Sequence, residues 1–591
     1  MSRRSLRALD TGDILKLLDG EESELSELSS DDEFLPDPDL VCGPMEASAG
    51  EAQVNDPDFE VQSNEEPVAT PDTRAKLQKI YRWRKKTYEP PGNVQFTGAL
   101  ATSDDDPDPL SYFKKFVTDD MLTMVASETN RYSVEKTGQS VNTNVKELEQ
   151  VLGMYLLMGL SQMPSVRAYW EAETYYAPIA DIMPRNRFEK LLTMLHFQDN
   201  SATEEMKKDK AWKIRPWLSA LRSQCLQTPP EECHSIDEIM VAFKGRSHMK
   251  VYMPGKPKKW GFKMWGRAGV SGFLYDFDLH TGAADKSLVS ELGVTGDLVM
   301  QLASTLPSEE NHKLFADNYF TSIPVVEELQ SRGIQYLGTV RGNRLKGCVM
   351  KDEKTLKSEG RGSYDYRVEE LTNVVAVRWY DNRVVNLLSS YVGTEPVTVA
   401  KRWDRKKKVH VNVPMPAIVE MYNKFMGGID LLDMMTSMYK YNLKSRRWYL
   451  YVFWHTVTIA LVNAWLLQRR HQEQSGPNAP TQALRKFQAE VAGCLTTVGK
   501  KNTGRSLRLG GSQMSPSSER TRRVATSSRS AQVSELLRFD GIDHLPQYTE
   551  DRQRCKICRN AVHFSYIKCE KCGVHLCLNK ARNCFALYHR K

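Results

Sequence analysis

Four aspartates stand out in this 591-residue sequence, because their types and spacing could do chemistry. Asp237 interrupts SIDEIMVAF (Ser235–Phe243), a short apolar run that reads as a strand. A carboxylate in a buried strand is costly unless it is paired or holds a metal. Asp317 ends the short strand pattern KLFAD, and α/β sheets usually place their ligands at the carboxyl ends of strands. Asp430 and Asp433, in GGIDLLDMM, are three residues apart and so share one helical face beside Ile429, Leu431, Leu432, Met434 and Met435. Singly, each has an ordinary reading: a turn residue, a helix N-cap, a solvated face. Converging on one point they would suit magnesium, which wants hard oxygen ligands and keeps water or phosphate in its remaining positions. Two such ions about 4 Å apart activate a nucleophile and stabilise the leaving oxygen at phosphorus.

The second group closes the chain: Cys555-x2-Cys558, Cys569-x2-Cys572, then His575, Cys577, Cys584 and His589. Two such knuckles followed by further ligands point to structural zinc. Eight candidates allow two Zn²⁺ ions, in sequence order or interleaved as a cross-brace. His575 reads equally as a core or surface histidine, and His563 is a weaker candidate. The other five cysteines (Cys42, Cys225, Cys233, Cys348 and Cys494) are scattered, and MSRRSLRALDTGDILKLLDG lacks the apolar core of a secretory signal. A reducing compartment favours metal over disulfides. Taken alone, the zinc pattern also fits a RING-like ubiquitin ligase, a reading that leaves the aspartates unexplained.

Charge points to the partner. The chain carries 81 Lys/Arg and 74 Asp/Glu, yet no Lys or Arg lies between Lys16 and Arg74, where 18 of the acids sit. The rest has 81 basic against 56 acidic residues, a net of +25. An acidic tail on a basic body suggests a polyanion, most simply nucleic acid, with a charge-rich soluble surface as the plain alternative.

Those residues need elements to position them. Residues 1–107 read as a disordered acidic region with a basic island at 74–86, a candidate nuclear-localisation or nucleic-acid patch. Helical periodicity covers 108–232, and the strand-rich segment 233–341 reads as an α/β core. Residues 342–415 read as an insertion, with a hairpin around Asp381-Asn382 and the very basic KRWDRKKKVH (Lys401–His410). Helical pattern returns at 416–440 and 441–495, followed by a flexible basic linker at 496–550 and the Cys/His module at 551–591. Trp448–Leu467 is long enough to span a membrane, but His455, Thr456, Thr458 and Asn463 interrupt it. It reads as a buried core helix, with no membrane partner.

Taken in order, SIDEIMVAFKGR, MPGKPKKWGFKMW, ADNYFTS and YNKFMGGIDLLDMM resemble the piggyBac transposases and their domesticated derivatives. RNRFEKLLTMLHFQDN, GTVRGNR and SRRWYLYVFWH support the likeness, which spans roughly 108–495 plus the zinc tail. The resemblance implies an RNase H-like catalytic core with an insertion domain, flanked by a split helical dimerisation and DNA-binding domain and a C-terminal zinc module. It implies a catalytic triad at Asp237, Asp317 and Asp430 with Asp433 as a fourth carboxylate, and zinc ligands at Cys577, Cys584 and His589 after the knuckles. It further implies two Mg²⁺ ions, strand nicking, hairpin formation and joining at TTAA targets, transposon ends as DNA partner, a homodimer and a nuclear location. Lys244, Arg246, Lys256, Lys258, Lys259, Lys263, Arg341, Arg344, Lys444, Arg446 and Arg447 are then expected phosphate contacts. The alternative within the same family is a DNA- or chromatin-binding protein that no longer transposes.

Overall fold

A computed structural model of the chain describes residues 79–98, 108–201, 203–282, 289–404, 407–475, 482–497, 544–558 and 563–590. The acidic stretch 17–73 lies outside them. The chain divides into two compact units at Thr503/Gly504, each described by itself.

In the first unit, helices α1 (Pro109–Lys114), α2 (Asp119–Thr137), α3 (Val145–Leu160), α4 (Arg185–Met194) and α5 (Arg215–Leu226) form where the apolar spacing is helical. Their N-termini use side-chain acceptors: Asp108 takes the Ser111 amide at 2.9 Å, and Asn144 takes that of Glu147 at 3.1 Å. Further along the chain are α6 (Gly293–Ala303), α7 (Ile323–Ser331), α8 (Ala417–Phe425), α9 (Gly428–Met438), α10 (Trp448–Ser475) and α11 (Leu484–Thr497).

Helix α10 contains the span-length apolar run, and 94% of its most apolar window is buried within the protein. The polar residues that interrupt it are tied internally. Asn463 accepts the Leu274 amide at 2.9 Å and donates to its carbonyl at 2.8 Å, and Thr456 takes the Trp217 indole N–H at 2.9 Å. These bonds fix α10 to α5 and to a strand of the sheet.

That sheet is built from β1 (Trp83–Arg84), β2 (Cys233–Ala242), β3 (Val251–Tyr252), β4 (Trp260–Gly269), β5 (Leu274–Leu279), β6 (Lys313–Ala316), β7 (Gln335–Thr339), β8 (Tyr364–Glu369), β9 (Val375–Tyr380) and β10 (Val384–Ser389). The order is β1-β8-β9-β10-β7-β6-β2-β4-β3, with β5 also on β4. Strands β2, β6 and β7 are parallel neighbours, while β4 runs antiparallel to β2 and β5. Helix α10 and the N-terminal helices share a core with one face of β4 and β5, and α6 and α7 cover the opposite side. The architecture is a mixed α/β fold.

Two segments depart from the expected layout. Residues 364–389 do not stand apart as an inserted lobe, because β10 pairs with β7 and the β9–β10 hairpin extends the same sheet. Beyond them β11 (Val397–Asp404) and β12 (Val409–Pro416) form a separate hairpin. The later part of the basic island is ordered: Trp83 and Arg84 pair with Glu369 and Val368. Lys79, Arg84 and Lys85 meet Glu327, Glu370 and Asp365, so these cations are neutralised within the fold.

In the second unit, β13 (Pro546–Arg554) pairs with β14 (Phe564–Cys569), and α12 (Cys584–His589) ends the described chain. Structure therefore begins by His544, inside the stretch read as linker.

Candidate functional site

The sheet brings the acids together. In the parallel pair β2–β6, Ile236 is opposite Ala316, so Asp237 and Asp317 are the next residues on two adjacent strands. Asp237 faces Gly266 across the antiparallel ladder to β4. Gly266 has no side chain, and Ile239, Leu274 and Ile429 of α9 share that room: a Cβ there would meet their Cδ1 atoms at 2.8, 3.0 and 3.0 Å. Gly428 lets the helix approach this closely, since its own Cβ would come within 2.5 Å of the Gly269 carbonyl oxygen. The apolar residue before Asp430 thus helps anchor the helix, and α9 delivers Asp430 and Asp433 toward Asp237.

One ammonium joins two of these elements. Lys256 Nζ lies 3.5 Å from Asp237 Oδ2 and 4.0 Å from Asp430 Oδ1, so the two carboxylates stand no farther apart than those distances laid end to end. Burial pushes Asp237 up to about 7, and a hydrogen bond shared with the Glu238 carboxyl adds to the rise. Burial also raises Asp433 to about 7, against the pull of Lys256, and it raises Asp317. Asp237 and Asp430 both act on Asp433, and Asp237 acts on Asp317, so all four lie in one electrostatic neighbourhood.

The donor set is oxygen-only and drawn from the middle of β2, the residue after β6 and a helix, with a cation already among it. That chemistry fits magnesium. Glu238, the acid beside Asp237, belongs to the cluster although the sequence reading passed over it. The adjacent Asp-Glu in a strand was its signal.

The basic candidates separate into groups. Lys244, Arg246, Lys258, Lys259, Lys444 and Arg446 are exposed. Lys263 is buried over the rings of Trp265 and Tyr319, at 3.8 and 5.0 Å. Arg344 donates to the carbonyls of Asn318, Tyr319 and Thr321 at 3.2, 2.8 and 3.1 Å, bracing the loop that follows Asp317. Arg341 reaches Asn318 Oδ1 at 3.4 Å. Arg447 donates to the Leu195 carbonyl at 3.0 Å and to that of Leu192, closing the end of α4. Arg344 and Arg447 therefore support backbone rather than present free charge. Lys440, also missed, donates to or shares a proton with His455 Nδ1 at 2.9 Å, and burial pulls it down to about 8.

In the second unit the Cys/His residues gather into two quartets, each with ligand atoms within 4.8 Å of one another: Cys555, Cys558, Cys577 and Cys584, and His544, Cys569, Cys572 and His589. The pairs alternate along the chain, an interleaved arrangement. Cys572 Sγ lies 3.4 Å from both His544 Nδ1 and His589 Nε2, and Cys558 and Cys584 sulfurs are 3.7 Å apart. Ligands about 2.0–2.3 Å from a tetrahedral zinc stand at such separations. His589 Nδ1 meets the Phe585 carbonyl at 2.8 Å, the outer bond that leaves Nε2 for metal.

His575 is not in either quartet. It is buried, its Nε2 3.0 Å from Thr549 Oγ1, and it serves the β13–β14 packing. His544, not His575, takes the eighth place in the two quartets. It precedes the first knuckle by eleven positions, in FDGIDHLPQYTE, which carries no second Cys or His at metal-ligand spacing.

Comparison with known proteins places these features in a family context. The sequence profile described as Transposase IS4 matches residues 108–465. The human PiggyBac transposable element-derived protein 3 is 30% identical over 522 residues, covering 86% of this chain and 81% of that protein. Human PiggyBac transposable element-derived protein 2 is 29% identical over 459 residues, covering 76% and 72%. The cryo-EM structure of a piggyBac transposase synaptic complex with hairpin DNA shares the fold with a TM-score of 0.55, at 23% identity over 66% of this chain and 80% of that one.

Proposed function

Because the chain belongs to the piggyBac transposase family, we propose that it binds duplex DNA and cuts and joins strands by metal-dependent phosphoryl transfer at Asp237, Asp317, Asp430 and Asp433. The convergence of these acids from two adjacent parallel strands, Asp237 within β2 and Asp317 just past β6, and from one helix carries the reading. The order β5-β4-β2-β6-β7, with β4 alone reversed, supports an RNase H-like core.

Magnesium held by the four aspartates would polarise phosphoryl oxygens and lower the pKa of attacking water or DNA 3′-hydroxyl. The protein's own contribution is position and charge. Gly428 and Gly266 set the α9 acids against the strand acids, and Arg344 holds the Asp317 loop still. Lys244, Arg246, Lys258, Lys259, Lys444 and Arg446 offer exposed charge to the phosphate backbone. Two zinc ions in the terminal quartets would fold a small module suited to reading transposon ends. Two copies, TTAA targets and a nuclear location complete the proposal.

A second reading, a DNA-binding derivative that no longer transposes, is favoured by the names of the human relatives. The four intact acids favour the first. The test is nicking of a plasmid carrying the inverted repeats that flank the gene, with Mg²⁺ and zinc-loaded protein. Asp237→Asn, Asp317→Asn and Asp430→Asn should each abolish cleavage and keep DNA binding. Cleavage that survives all three substitutions would remove the catalytic assignment.

A further inference from the structure

Lys256 occupies an unusual position for a surface lysine of a basic protein. It follows Pro254-Gly255 in a tight turn between β3 and β4, closed by the Lys256 amide on the Met253 carbonyl at 3.3 Å. Pro254, Gly255, Pro257, Lys258 and Lys259 are all exposed, whereas the Lys256 side chain folds back and is only 18% exposed. Its ammonium lies 3.3 Å from the Glu238 carbonyl oxygen, 3.5 Å from Asp237 and 4.0 Å from Asp430. Glu238 and Asp433 also act on it, so four carboxylates face one cation.

We propose that Lys256 is a resident counter-cation that holds the ground between Asp237 and Asp430 until a divalent ion takes it, and then withdraws. This inference rests on the catalytic reading above and adds a role distinct from backbone phosphate contact. Like charges brought together by α9 and β2 repel, and without a cation among them the acids would splay or take up protons. The two carboxylate contacts are long, at ion-pair rather than hydrogen-bond distance, so the ammonium is held by field more than by geometry. Asp430 is 75% exposed, which leaves the lip of the cluster open to water and ions. The turn carrying Lys256 sits at the sheet edge, so its flexible stem can swing out without disturbing β4. Lys256 is therefore a positioning residue that competes with metal and keeps the empty site assembled.

The experiment measures Mn²⁺ binding to the zinc-loaded full-length protein by calorimetry, without DNA, together with thermal stability with and without added Mn²⁺. Lys256→Met should bind Mn²⁺ roughly tenfold more tightly than wild type, as removal of a competing charge requires. Its melting temperature should fall below that of wild type without added divalent ion and recover on adding Mn²⁺. Lys256→Arg should keep the wild-type affinity. Lys256→Gln, whose amide can still donate to the Glu238 carbonyl, should match Lys256→Met in affinity and separates lost charge from a lost hydrogen bond. If Asp237→Asn abolishes Mn²⁺ binding but Lys256→Met and Lys256→Gln leave it unchanged or weaker, the counter-cation role is wrong and the metal site stands. If Asp237→Asn leaves Mn²⁺ binding intact, the metal reading falls, and this inference with it.

Discussion

Asp237 and Asp317 stand one step beyond Ile236 and Ala316, an in-register pair on adjacent parallel strands. A separation of eighty positions along the chain therefore vanishes as a distance, and two acids that repel are fixed side by side by backbone hydrogen bonds. Helix α9 then adds Asp430 and Asp433 to the same place.

The burial of Asp237, with Glu238 beside it, makes a prediction for the metal-free protein. Asp237 is raised to about 7 in the fold, above its unfolded value, so the fold binds the extra proton. Stability from this group is present at low pH and falls as pH climbs from about 4 to about 7. Asp237→Asn should therefore stabilise the protein in chelator at pH 8, by about 2 kcal/mol, and give little gain at pH 4. Thermal melts of both proteins at the two pH values check this. A variant no more stable than wild type at pH 8 would deny the strain.

Gly428 should be the most exacting position in α9. Alanine there would place a Cβ 2.5 Å from the Gly269 carbonyl oxygen and 2.7 Å from Ser235 Oγ, so helix or strand must move. We expect a loss of about 1–3 kcal/mol, the usual cost of forcing extra volume into a packed site, with Mg²⁺-dependent nicking reduced further. Gly427→Ala is the control: it has open space and φ −78°, and should behave as wild type in both assays.

The sequence makes the strand acids legible because each carboxylate breaks an otherwise apolar run, and the α9 pair because three-residue spacing fixes a face. The same reasoning could not see that Arg344 and Arg447 are tied to carbonyls, since a basic residue looks identical whether it meets phosphate or a loop. Lys256 was grouped with its exposed neighbours Lys258 and Lys259 for the same reason. The extra strands β8–β10 escaped because a hairpin's own pattern does not say which sheet edge it joins; β10 found β7 through a register between Leu387 and Thr339. His544 was invisible because metal-ligand spacing is read locally, and its partners Cys569 and Cys572 are brought to it by β13 pairing with β14.

Buried histidines should set the acid limit of the first unit. Burial lowers His196 to about 4, and it drives His234 and His455 well below the ordinary histidine range. The unfolded chain takes up these protons near pH 6.5 and the fold does not, so stability is complete above that pH and is lost as pH falls toward 4. His196 alone accounts for up to about 3 kcal/mol of that loss. Calorimetric melting temperatures should drop steeply between pH 6.5 and 4.5, and His196→Gln should flatten the slope. An unchanged slope would mean that His196 is protonated in the fold.

The terminal module offers the sharpest test of the ligand set. If each alternating quartet holds a zinc, as proposed, neither ion could leave without loosening both ends of the module, and its folding free energy would be largely metal binding. Chelation should unfold the segment containing residues 544–590, seen as loss of the amide dispersion that marks β13 and β14. Two zinc ions per chain are expected for wild type. His544→Ala should hold one tightly and lose or weaken the other, since it removes the ligand 3.4 Å from Cys572 Sγ. His575→Ala should still bind two, because His575 meets Thr549 rather than either quartet; its cost should be a modest loss of stability from the broken contact. If His575→Ala loses a zinc and His544→Ala keeps both, the pairing given by the fold is wrong and the local spacing of the sequence was the better guide. Selective loss of DNA-end recognition in His544→Ala, with non-specific nicking kept, would further assign reading to this module and chemistry to the acids. Ubiquitin transfer by the intact module without DNA would instead assign the cross-brace a ligase role.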